Sequence, residues 1–495
     1  MLLVSLILPF LLLLGLVLVA KRPLWISATL AFALAIFLWL QVSFLESSLL
    51  IAPLLRALLL SCEVGLILLG AIAFLEYMQL EGVTASIKKA LGEFTQGNLG
   101  LEALLLAWLF CGFLEGTAGF GAPAALIAPL LVSLGFHPII AAALPLIGDS
   151  AAVPFGAVGT PVRIGFAGLS AEHAAVYGAG INVFAGLVAP LTIFYLARKT
   201  HPEKSVSLPL KRGLLLSLVA GFCFTLPAFA LSWIGPEFPS LAGSLIGMLI
   251  FCYVLLRLKK KSPSLPPPQS KSTRVVMMGL VRSFSPYLWL CALLLLAKIL
   301  LWKQTIALNF LGHVQSISVF QPGLIFLMAI ALFALRRPQH SFGEIFALLK
   351  KAAGRLPKVL VAIFCMAALA QMLLLGFSTQ SELFNFEGVT GAQSLLLVLA
   401  PIAGAIGSFV TGSATVSNLL FAPLLAQSSL ILAANTSLVL GLQLVGAGAG
   451  NMISLQNLAA VQATVGLVNQ ERPLLKLLWW PCVLTIAVGI LVGAV

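Results

Sequence analysis

Apolar stretches long enough to cross a lipid bilayer recur along the whole of this chain. A helix needs about 20 consecutive apolar residues to span the hydrocarbon core of a membrane. Of the 495 residues, 61% are hydrophobic and only 9% are charged, which excludes a soluble globular domain. The chain is therefore predicted to be an all-α, polytopic membrane protein. Ten stretches are predicted as simple spans: 2–20, 24–44, 49–78, 174–196, 213–231, 240–257, 275–302, 321–335, 357–377 and 474–495.

Basic residues lie in short clusters between the apolar stretches, and such clusters set the orientation of a membrane protein. If Lys21 and Arg22 are cytoplasmic, 23 of the 28 Lys and Arg residues fall on the cytoplasmic side of a chain with twelve crossings. This topology places both termini outside the plasma or inner membrane. The formal charge of +13 is then a topology signal and not a nucleic-acid surface. Because no basic segment precedes the first apolar stretch, we expect a retained helix rather than a signal peptide.

Three further segments are predicted to lie outside the membrane core, two as surface helices and one as a linker. Residues 84–95 and 341–355 are amphipathic and each carries a pair of lysines, so we expect them to lie along the membrane surface. Residues 259–274 are rich in Pro, Ser and Lys and form a linker. The seven cysteines lie in apolar segments without metal-ligand spacing, which indicates core residues.

Two regions, 101–170 and 391–467, combine glycine clusters with polar residues and resemble each other. Three short motifs recur in the same order: FLEGTA (113–118) as FVTGSA (409–414), APLL (128–131) as APLL (422–425), and LPLIG (144–148) as LQLVG (442–446). Their order and spacing indicate an internal repeat. The predicted topology enters the first copy from the cytoplasm and the second from outside, so the repeat is inverted.

Each copy is predicted to contain one re-entrant hairpin and one broken crossing helix, since glycine, proline and hydroxyl residues cluster at matching positions. A broken helix leaves backbone N–H and C=O groups that a membrane tolerates only beside protein or water. The alternative is that the glycines only allow helices to pack closely. The predicted breaks are Gly116–Pro123, Gly148–Pro161, Gly412–Asn418 and Gly446–Asn457.

This interpretation divides the chain into three parts. Their predicted limits are 1–196 for the first repeat (hairpin about 101–136, broken helix about 138–170), 197–274 for connecting helices and a cytoplasmic linker, and 275–495 for the second repeat (hairpin about 391–432, broken helix about 437–467).

At the glycine-rich motifs the chain resembles the L-lactate permease family, which includes glycolate permeases. FLEGTAGFGAP (113–123) is similar to the family's Phe-Leu-Glu-Gly-Ala-Ala-Gly-Phe-Gly-Thr-Pro. In the same way PFGAVGTPV (154–162) is similar to Phe-Gly-Ala-Ile-Gly-Ile-Pro, TGSATVSN (411–418) to Thr-Gly-Ser-Asp-Thr-Ser-Ser-Asn, and NMISLQNL (451–458) to Lys-Met-Ile-Ser-Pro-Gln-Ser-Ile. The resemblance covers nearly the whole chain.

The resemblance implies a secondary active transporter for small 2-hydroxy monocarboxylates, namely L-lactate, D-lactate or glycolate, driven by proton symport. It also implies membership of the wider ion-transporter superfamily, whose members are often elevator-type dimers, so a homodimer is expected. Three positions depart from the family pattern. The family's Asp in the second hairpin is Ala414 here, its Lys before Met-Ile-Ser is Asn451, and an Asn-Thr pair is Asp149-Ser150. The residues therefore indicate the transporter class more firmly than the anion.

We expect the substrate to bind between the two hairpin tips and the two helix breaks, near the middle of the membrane. Half-helix N-termini supply free N–H donors and partial positive charge, which suit an anion. Glu115 and Asp149 are the candidates for proton coupling, because acids inside a membrane are rare and usually functional. The predicted substrate-binding residues are Gly116, Thr117, Ala118, Gly119, Ser150, Thr411, Gly412, Ser413, Thr415, Ser417, Asn418, Asn451, Ser454 and Gln456.

The ionisable residues have alternative interpretations. Glu115 either carries the proton or caps backbone N–H groups at the hairpin tip, and Asp149 is either a substrate or proton site or a helix N-cap. If both acids were ionised side by side they would repel each other, so one should hold a proton. Arg163 balances Asp149, attracts the substrate carboxylate, or anchors the outer interface. Arg56 and Glu63 share one helix face and are predicted to pair with other helices.

Other functions are weighed against proton symport. Asn, Ser, Thr and exposed carbonyl groups also suit Na⁺, so a Na⁺-coupled carboxylate transporter is an alternative, as is a permease for a different small organic anion. A channel would not accumulate its substrate against a gradient. An intramembrane enzyme is disfavoured, since the sequence offers no nucleophile–base pair and no metal-ligand constellation. The expected partners are the organic anion, protons and the lipid bilayer, with no cofactor, metal or nucleic acid.

Overall fold

A computed structural model describes most of the chain, and its ranges are 2–20, 22–42, 50–95, 98–119, 122–171, 173–200, 209–259, 273–301, 304–310, 313–336, 341–379 and 392–495. Within these ranges the chain is helical apart from one β-hairpin. Twelve of the described helices are long and apolar enough to cross a membrane, which confirms the prediction of a polytopic helical membrane protein. Most of the predicted linker, 260–272, lies outside the described residues.

The first 200 residues contain long helices followed by a series of short ones. They are α1 (Leu2–Leu18), α2 (Leu24–Val42), α3 (Ile51–Leu80), α4 (Val83–Thr95), α5 (Leu99–Thr117), α6 (Ala122–Ser133), α7 (Pro138–Asp149), α8 (Gly156–Arg163), α9 (Ala174–Ala185) and α10 (Val188–Thr200). The middle of α5, Leu104–Phe110, is π-helical, and a single 3₁₀ turn, Val153–Phe155, precedes α8.

The remainder of the chain contains eleven helices and one β-hairpin among the described residues. Its elements are α11 (Leu210–Ser232), α12 (Ser244–Lys259), α13 (Thr273–Leu300), β1 (Thr305–Phe310), β2 (His313–Ser318), α14 (Pro322–Arg336), α15 (Phe342–Gly354), α16 (Pro357–Thr379), α17 (Ala392–Thr411), α18 (Ala414–Ile431), α19 (Thr436–Asn451), α20 (Leu455–Thr464) and α21 (Glu471–Gly493). A π-helical turn, Pro239–Gly243, leads into α12.

Twelve is also the predicted number of crossings, but the two sets of helices differ. The helices α5, α17 and α18 belong to the predicted hairpins, yet they are long enough to span a membrane. By contrast, α1 and α14 were predicted to be spans but have only 17 and 15 residues. The predicted span 174–196 is confirmed as one apolar stretch of membrane length, Ala174–Lys199, formed by α9 and α10 with only two residues between them. Helix length alone therefore does not test the prediction that these helices belong to re-entrant hairpins.

Each of the four predicted break segments contains the end of a helix. The chain leaves helical structure between α5 and α6, between α7 and α8, between α17 and α18, and between α19 and α20. The axis bends by 55° between α7 and the segment Val153–Arg163. Gly119 and Gly412, at the first and third breaks, have φ of +61° and +69°, which a residue with a side chain rarely adopts.

Polar side chains fix where several of these helices begin. Asn98, Ser413, Asn435 and Ser454 each accept a hydrogen bond from a backbone N–H in the first turn of the helix that follows. Ser341 begins the amphipathic α15 with a reciprocal capping box. Such caps satisfy N–H groups that have no partner inside the helix, and each is worth about 1 kcal/mol.

Glycine also serves close packing in the second region, as the alternative interpretation expected. A Cβ atom at Gly446 would collide with the carbonyl oxygen of Pro401, and one at Gly450 with that of Ala405. The backbones of α17 and α19 therefore touch, in the manner of small-residue helix contacts in membranes. Packing glycines and break glycines thus occupy different positions of the same region.

The helices α11 and α12 hold the first region in place. The indole N–H of Trp108 in α5 donates to the carbonyl of Ala220 at 3.0 Å. The hydroxyl of Ser240, in the π-helical turn before α12, donates to the carbonyl of Ala152 at 2.6 Å. A Cβ atom at Gly116 would collide with the backbone of Leu241, so the end of α5 lies directly on that turn. The connecting helices are thus part of the support of the hairpin tip.

Two peripheral features complete the fold. The amphipathic helices α4 and α15 match the segments predicted to lie along the membrane surface. Glu76 of α3 forms ion pairs with Lys351 at 3.4 Å and Arg355 at 3.0 Å, which connect α3 to the end of α15. The antiparallel hairpin of β1 and β2, in register from Thr305 with Ser318 to Phe310 with His313, is not predicted from the sequence. The prediction of an all-α chain is therefore incomplete at this hairpin.

Candidate functional site

A narrow cavity lies where the four helix breaks meet. Its empty volume is about 260 Å³. Every break contributes to its wall, so the first and second regions face each other across it. The lining residues are Glu115, Gly119, Val153, Gly156, Ala157, Pro161, Gly412, Ser413, Ala414, Thr415 and Asn451.

Two buried carboxyl groups occupy the side built by the first region. The side chains of Glu115 and Asp149 are in residues only 4% and 5% exposed, and the two carboxyl groups lie within hydrogen-bonding reach of each other. No donor among the described residues reaches Oε2 of Glu115 or Oδ1 of Asp149. Glu115 lines the cavity and Asp149 does not, so Asp149 lies behind it. Two adjoining carboxylates repel strongly in a low-dielectric site, and a shared proton removes that repulsion.

The backbone beside Glu115 is unusual. Ala157, Val158 and Gly159 have φ of +43°, +55° and +74°, three successive residues in the left-handed region. A β-branched residue there is strained, and such strain is retained where the surrounding structure imposes it, often at functional sites. A Cβ atom at Gly156 would collide with Oε1 of Glu115, so the carboxyl group lies directly against this turn.

The start of α18 forms the opposite side. Ser413 caps this helix by accepting from the N–H of Val416 at 3.3 Å. The N–H groups of Ala414 and Thr415 belong to the first turn, which has no intrahelical acceptors, and both residues line the cavity. Together with the positive end of the helix dipole they offer an anion two donors. Asn451 adds an amide whose Oδ1 already accepts from the side chain of Asn457.

Of the predicted site residues, the cavity brings together one proton-coupling candidate and five binding candidates. These are Glu115, Gly119, Gly412, Ser413, Thr415 and Asn451. Ser454 and Gln456 lie beside Gly412, where their side-chain oxygens are 3.1 and 3.0 Å from the position of a Cβ atom. Ser454 caps α20, and Gln456 is exposed.

The other predicted binding residues do not line the cavity. Hydroxyl groups at three of them donate to carbonyl oxygens of the helices: Thr117 to Leu114 at 2.7 Å, Ser150 to Ile147 at 2.7 Å, and Thr411 to Gly407 at 2.7 Å. Two other side chains hydrogen-bond to neighbouring helices. Ser417 of α18 donates to the carbonyl of Gly404 in α17 at 2.8 Å, and Asn418 donates to the carbonyl of Pro161 in α8 at 2.9 Å. Gly116 and Ala118 are buried in helix packing. Their polar groups, where present, are already used by the fold.

Besides Ala414, four lining residues were not among the predicted site residues: Val153, Gly156, Ala157 and Pro161. All lie within the predicted break Gly148–Pro161, and three of them belong to the motif PFGAVGTPV. The break itself was therefore a usable signal. None of these four positions carries a polar side chain, and within this break only the polar Asp149 and Ser150 were chosen as site residues.

Arg163 does not balance Asp149, which corrects one of its interpretations. Its guanidinium group instead hydrogen-bonds Glu63 and, at 2.6 Å, Glu237. Glu63 therefore pairs with another helix, as predicted. Arg56 does not, because the described structure gives its guanidinium group no hydrogen bond or ion pair. Within the described residues, no group of three or more His, Cys, Asp and Glu side chains is placed to hold a metal ion.

Comparison with known proteins identifies the family of this chain. A sequence model of the L-lactate permease family matches residues 2–319 and 311–495. The chain belongs to the L-lactate permease family. The family consists of permeases, so this member is a transporter and not an enzyme, and it is a multi-pass protein of the cell membrane.

Relatives of this L-lactate permease family member are similar over most of their length. A Haemophilus influenzae homologue is 28% identical over 449 residues, covering 83% of this chain and 82% of its own. The L-lactate permease of Streptococcus iniae is 29% identical, covering 73% and 77%, and the glycolate permease GlcA of Escherichia coli is 28% identical, covering 76% and 74%. The solved structure of Neisseria gonorrhoeae MtrF aligns with 89% of this chain and 80% of its own at 19% identity, with a TM-score of 0.46, too low to establish a common fold.

Proposed function

We propose that this permease carries small 2-hydroxy monocarboxylates, namely L-lactate, D-lactate or glycolate, into the cell by proton symport. The observation that carries the proposal is the single cavity that joins a buried carboxyl group, Glu115, to the first turn of a helix, where the N–H groups of Ala414 and Thr415 have no intrahelical acceptor. Names of relatives as L-lactate and glycolate permeases support the substrate class.

The carboxylate of the substrate would bind at the start of α18. The backbone N–H groups of Ala414 and Thr415 would donate hydrogen bonds to it, and the positive end of the helix dipole would attract it. The side chains of Ser413 and Asn451, which line the same cavity, would hydrogen-bond its 2-hydroxyl group. Among the described residues, no cationic side chain lines this cavity. Recognition would therefore depend on neutral donors, and on keeping other negative charge away.

The proton requirement follows from the position of Glu115. An ionised Glu115 would face the bound anion across a narrow, poorly solvated cavity, and the two negative charges would repel. Protonation of Glu115 removes that repulsion, so anion and proton binding favour each other. When the anion leaves, the neighbouring Asp149 would take up this proton and release it on the cytoplasmic side. The pair would thus carry one proton per cycle.

Alternating access would come from two inverted repeats, each with a re-entrant hairpin and a broken helix. The recurring motifs and the matched positions of the breaks support this arrangement. We propose an elevator-type movement of the hairpins and broken helices against α1 to α3 and α13 to α16. The distribution of Lys and Arg supports an orientation with both termini outside.

A Na⁺-coupled mechanism is the second candidate, favoured by one observation. The cavity side formed by Ser413, Thr415 and Asn451 carries hydroxyl and amide oxygen atoms together with backbone carbonyl groups. Neutral oxygen ligands of this kind suit a hard cation. The first candidate is preferred because Glu115 of this cavity adjoins a second buried acid, Asp149, and no donor among the described residues reaches Oε2 of Glu115 or Oδ1 of Asp149.

Purified protein in proteoliposomes tests the proposal. Radiolabelled L-lactate, D-lactate and glycolate would be compared with propionate, which lacks the 2-hydroxyl group, under a pH gradient or a Na⁺ gradient imposed separately. We expect saturable accumulation of a hydroxy acid under the pH gradient alone, abolished by an uncoupler. Accumulation under the Na⁺ gradient at equal pH would favour the second candidate. Equal uptake of propionate, or no accumulation of any of these acids, would contradict the proposed substrate class.

A further inference from the structure

A second, larger cleft lies apart from the cavity between the helix breaks. Its empty volume is about 1250 Å³, and no residue lines both spaces. The helix α8 joins them, because Pro161 lines the cavity and Arg163 lines the cleft. Five ionisable side chains line the cleft: Arg56, Glu63, Arg163, Glu237 and Lys298.

The cleft lies at the end of the helix bundle opposite to the basic clusters. Helix α11 begins beside Lys211 and runs towards Glu237, and α13 runs from the linker towards Lys298. Both chain directions lead away from the segments rich in Lys and Arg. With those segments in the cytoplasm, the cleft opens to the outside.

Four of the five charges neutralise one another. Arg163 hydrogen-bonds both Glu63 and Glu237, and Lys298 lies 3.0 Å from Glu237. Arg163 and Lys298 also lie over the ring of Phe320, at 5.5 and 4.9 Å from its centroid. Both terminal nitrogens of Arg163 are therefore held by carboxylates, and its Nε is buried, so the group is not free to form a bidentate contact with a substrate carboxylate.

Arg56 is the cation that remains. The described structure gives its half-buried guanidinium group no hydrogen bond and no carboxylate partner, so the lining side chains carry one net positive charge. Gly168, with φ of +86°, fixes the position of this group. Nη2 of Arg56 is 2.7 Å from the place that a Cβ atom at Gly168 would occupy, so only glycine leaves room for it. The arginine is thus held in the cleft by the backbone at Gly168, and among the described residues it has no hydrogen-bond or ion-pair partner.

We propose that Arg56 is an outer capture site for the carboxylate of the substrate. This inference rests on the proposed function, since it concerns the same small monocarboxylate anion before it reaches the cavity. A guanidinium group binds a carboxylate through two parallel hydrogen bonds. A cleft with net positive charge also concentrates anions at its mouth. At this stage helix α8 separates the captured anion from the cavity. The anion enters the cavity when the helix breaks move.

Transport kinetics test the capture site in proteoliposomes that expose the cleft. Arg56→Gln is expected to raise the KM for L-lactate roughly three- to tenfold at low salt, with an unchanged maximal rate, because a charge-assisted hydrogen bond is lost. The difference should shrink at about 0.15 M salt, where charges are screened beyond about 8 Å. Arg56→Lys should lie between the two, since it keeps the charge without the planar fork. Arg282→Gln, the same change at an exposed arginine of α13, should leave KM unchanged.

An unchanged KM in Arg56→Gln at low salt, while the wild-type protein transports, would overturn the capture site. So would a fall in maximal rate at constant KM, which indicates a structural role. A wild-type protein that accumulates no lactate would instead contradict the proposed function.

Chemical labelling tests the same site without transport. Phenylglyoxal modifies accessible arginines, and peptide mass spectrometry can follow Arg56 and Arg282 separately. Sodium L-lactate is expected to slow modification of Arg56 at least about threefold and to spare Arg282, with lactamide and sodium chloride giving no protection. Equal protection by chloride, or none by lactate, would overturn carboxylate capture whatever the transport assay shows.

Discussion

The two sides of the cavity are built alike, yet their chemistry differs. The side from the first region presents Glu115, backed by Asp149, amid glycine, proline and small apolar residues. The side from the second region presents Ser413, Thr415 and Asn451 at the start of a helix, and none of its lining residues is ionisable. This difference indicates a division of labour, in which one half handles the proton and the other the anion. Substitutions on each side of the cavity test whether the proton site and the anion site are separate.

Removing the proton site should have the largest effect. Glu115→Gln mimics a permanently protonated carboxyl group, so uptake driven by a pH gradient should fall by about 100-fold, the scale on which positioned proton-transfer groups act. Exchange of labelled for unlabelled lactate at equal pH should persist, since it needs no net proton movement. Parallel assays of net uptake and exchange in proteoliposomes measure both.

Glu102→Gln is a matched control for that experiment. Glu102 is buried in the same helix α5, where its carboxyl group accepts from Thr95 at 3.0 Å, and it does not line the cavity. We expect it to retain uptake driven by the pH gradient. If Glu115→Gln and Asp149→Asn both behave like this control, the acidic side of the cavity does not couple protons.

Moving charge to the neutral side should have the next largest effect. Ala414 and Asn451 line the same cavity and replace the Asp and Lys of the family pattern, so the two departures are a matched loss of charge. Ala414→Asp and Asn451→Lys should each reduce uptake by about tenfold, because each places an unpaired charge in a buried site. The double variant should recover much of that loss, with a coupling free energy of about 0.5–3 kcal/mol. Initial rates for the four proteins give this value. Additive effects would mean that the two positions do not act as a pair.

Much of this arrangement follows from local sequence. Glycine and proline clusters mark chain breaks because they act on the backbone of their own segment, and all four breaks lie in the predicted segments. The motif match that relates 113–118 to 409–414 was enough to direct attention to Glu115 and Ser413, which meet across the cavity. Periodicity likewise identified the amphipathic helices α4 and α15.

Side-chain direction and distant partners were beyond such reasoning. An α-helix turns by about 100° per residue, so the lining Thr415 and the non-lining Ser417 face different neighbours although they are two positions apart. Glu237 is 74 residues from Arg163, and only the folded chain shows that they pair. The left-handed turn at Val158 results from its surroundings, since a β-branched residue does not favour it.

Weakening the anion side at its helix cap should have a moderate effect. Ser413→Ala removes the acceptor for the Val416 N–H, which costs about 1 kcal/mol of stability, and it removes a hydroxyl group from the cavity. We expect a KM for lactate raised about threefold, with the response to pH unchanged. Ser341→Ala removes a comparable cap from the exposed start of α15 and should lower thermal stability without changing KM. A pH response altered by Ser413→Ala would mean that proton and anion sites are not separate.

The smallest effect is expected at a residue that lies beside the cavity without facing it. Thr117 is two positions from Glu115, and its hydroxyl group donates to the carbonyl of Leu114 at 2.7 Å in its own helix. Thr117→Val keeps the shape of the side chain and removes this hydrogen bond. The free energy of unfolding should therefore change by about 1 kcal/mol or less, while the KM for lactate stays within about twofold of the wild-type value. A KM raised as far as in Ser413→Ala would show that the first region also supplies a hydroxyl group to the anion, because Thr117 would then have to turn towards the cavity during transport. The measurement therefore decides whether the first side of the cavity contributes only its acids.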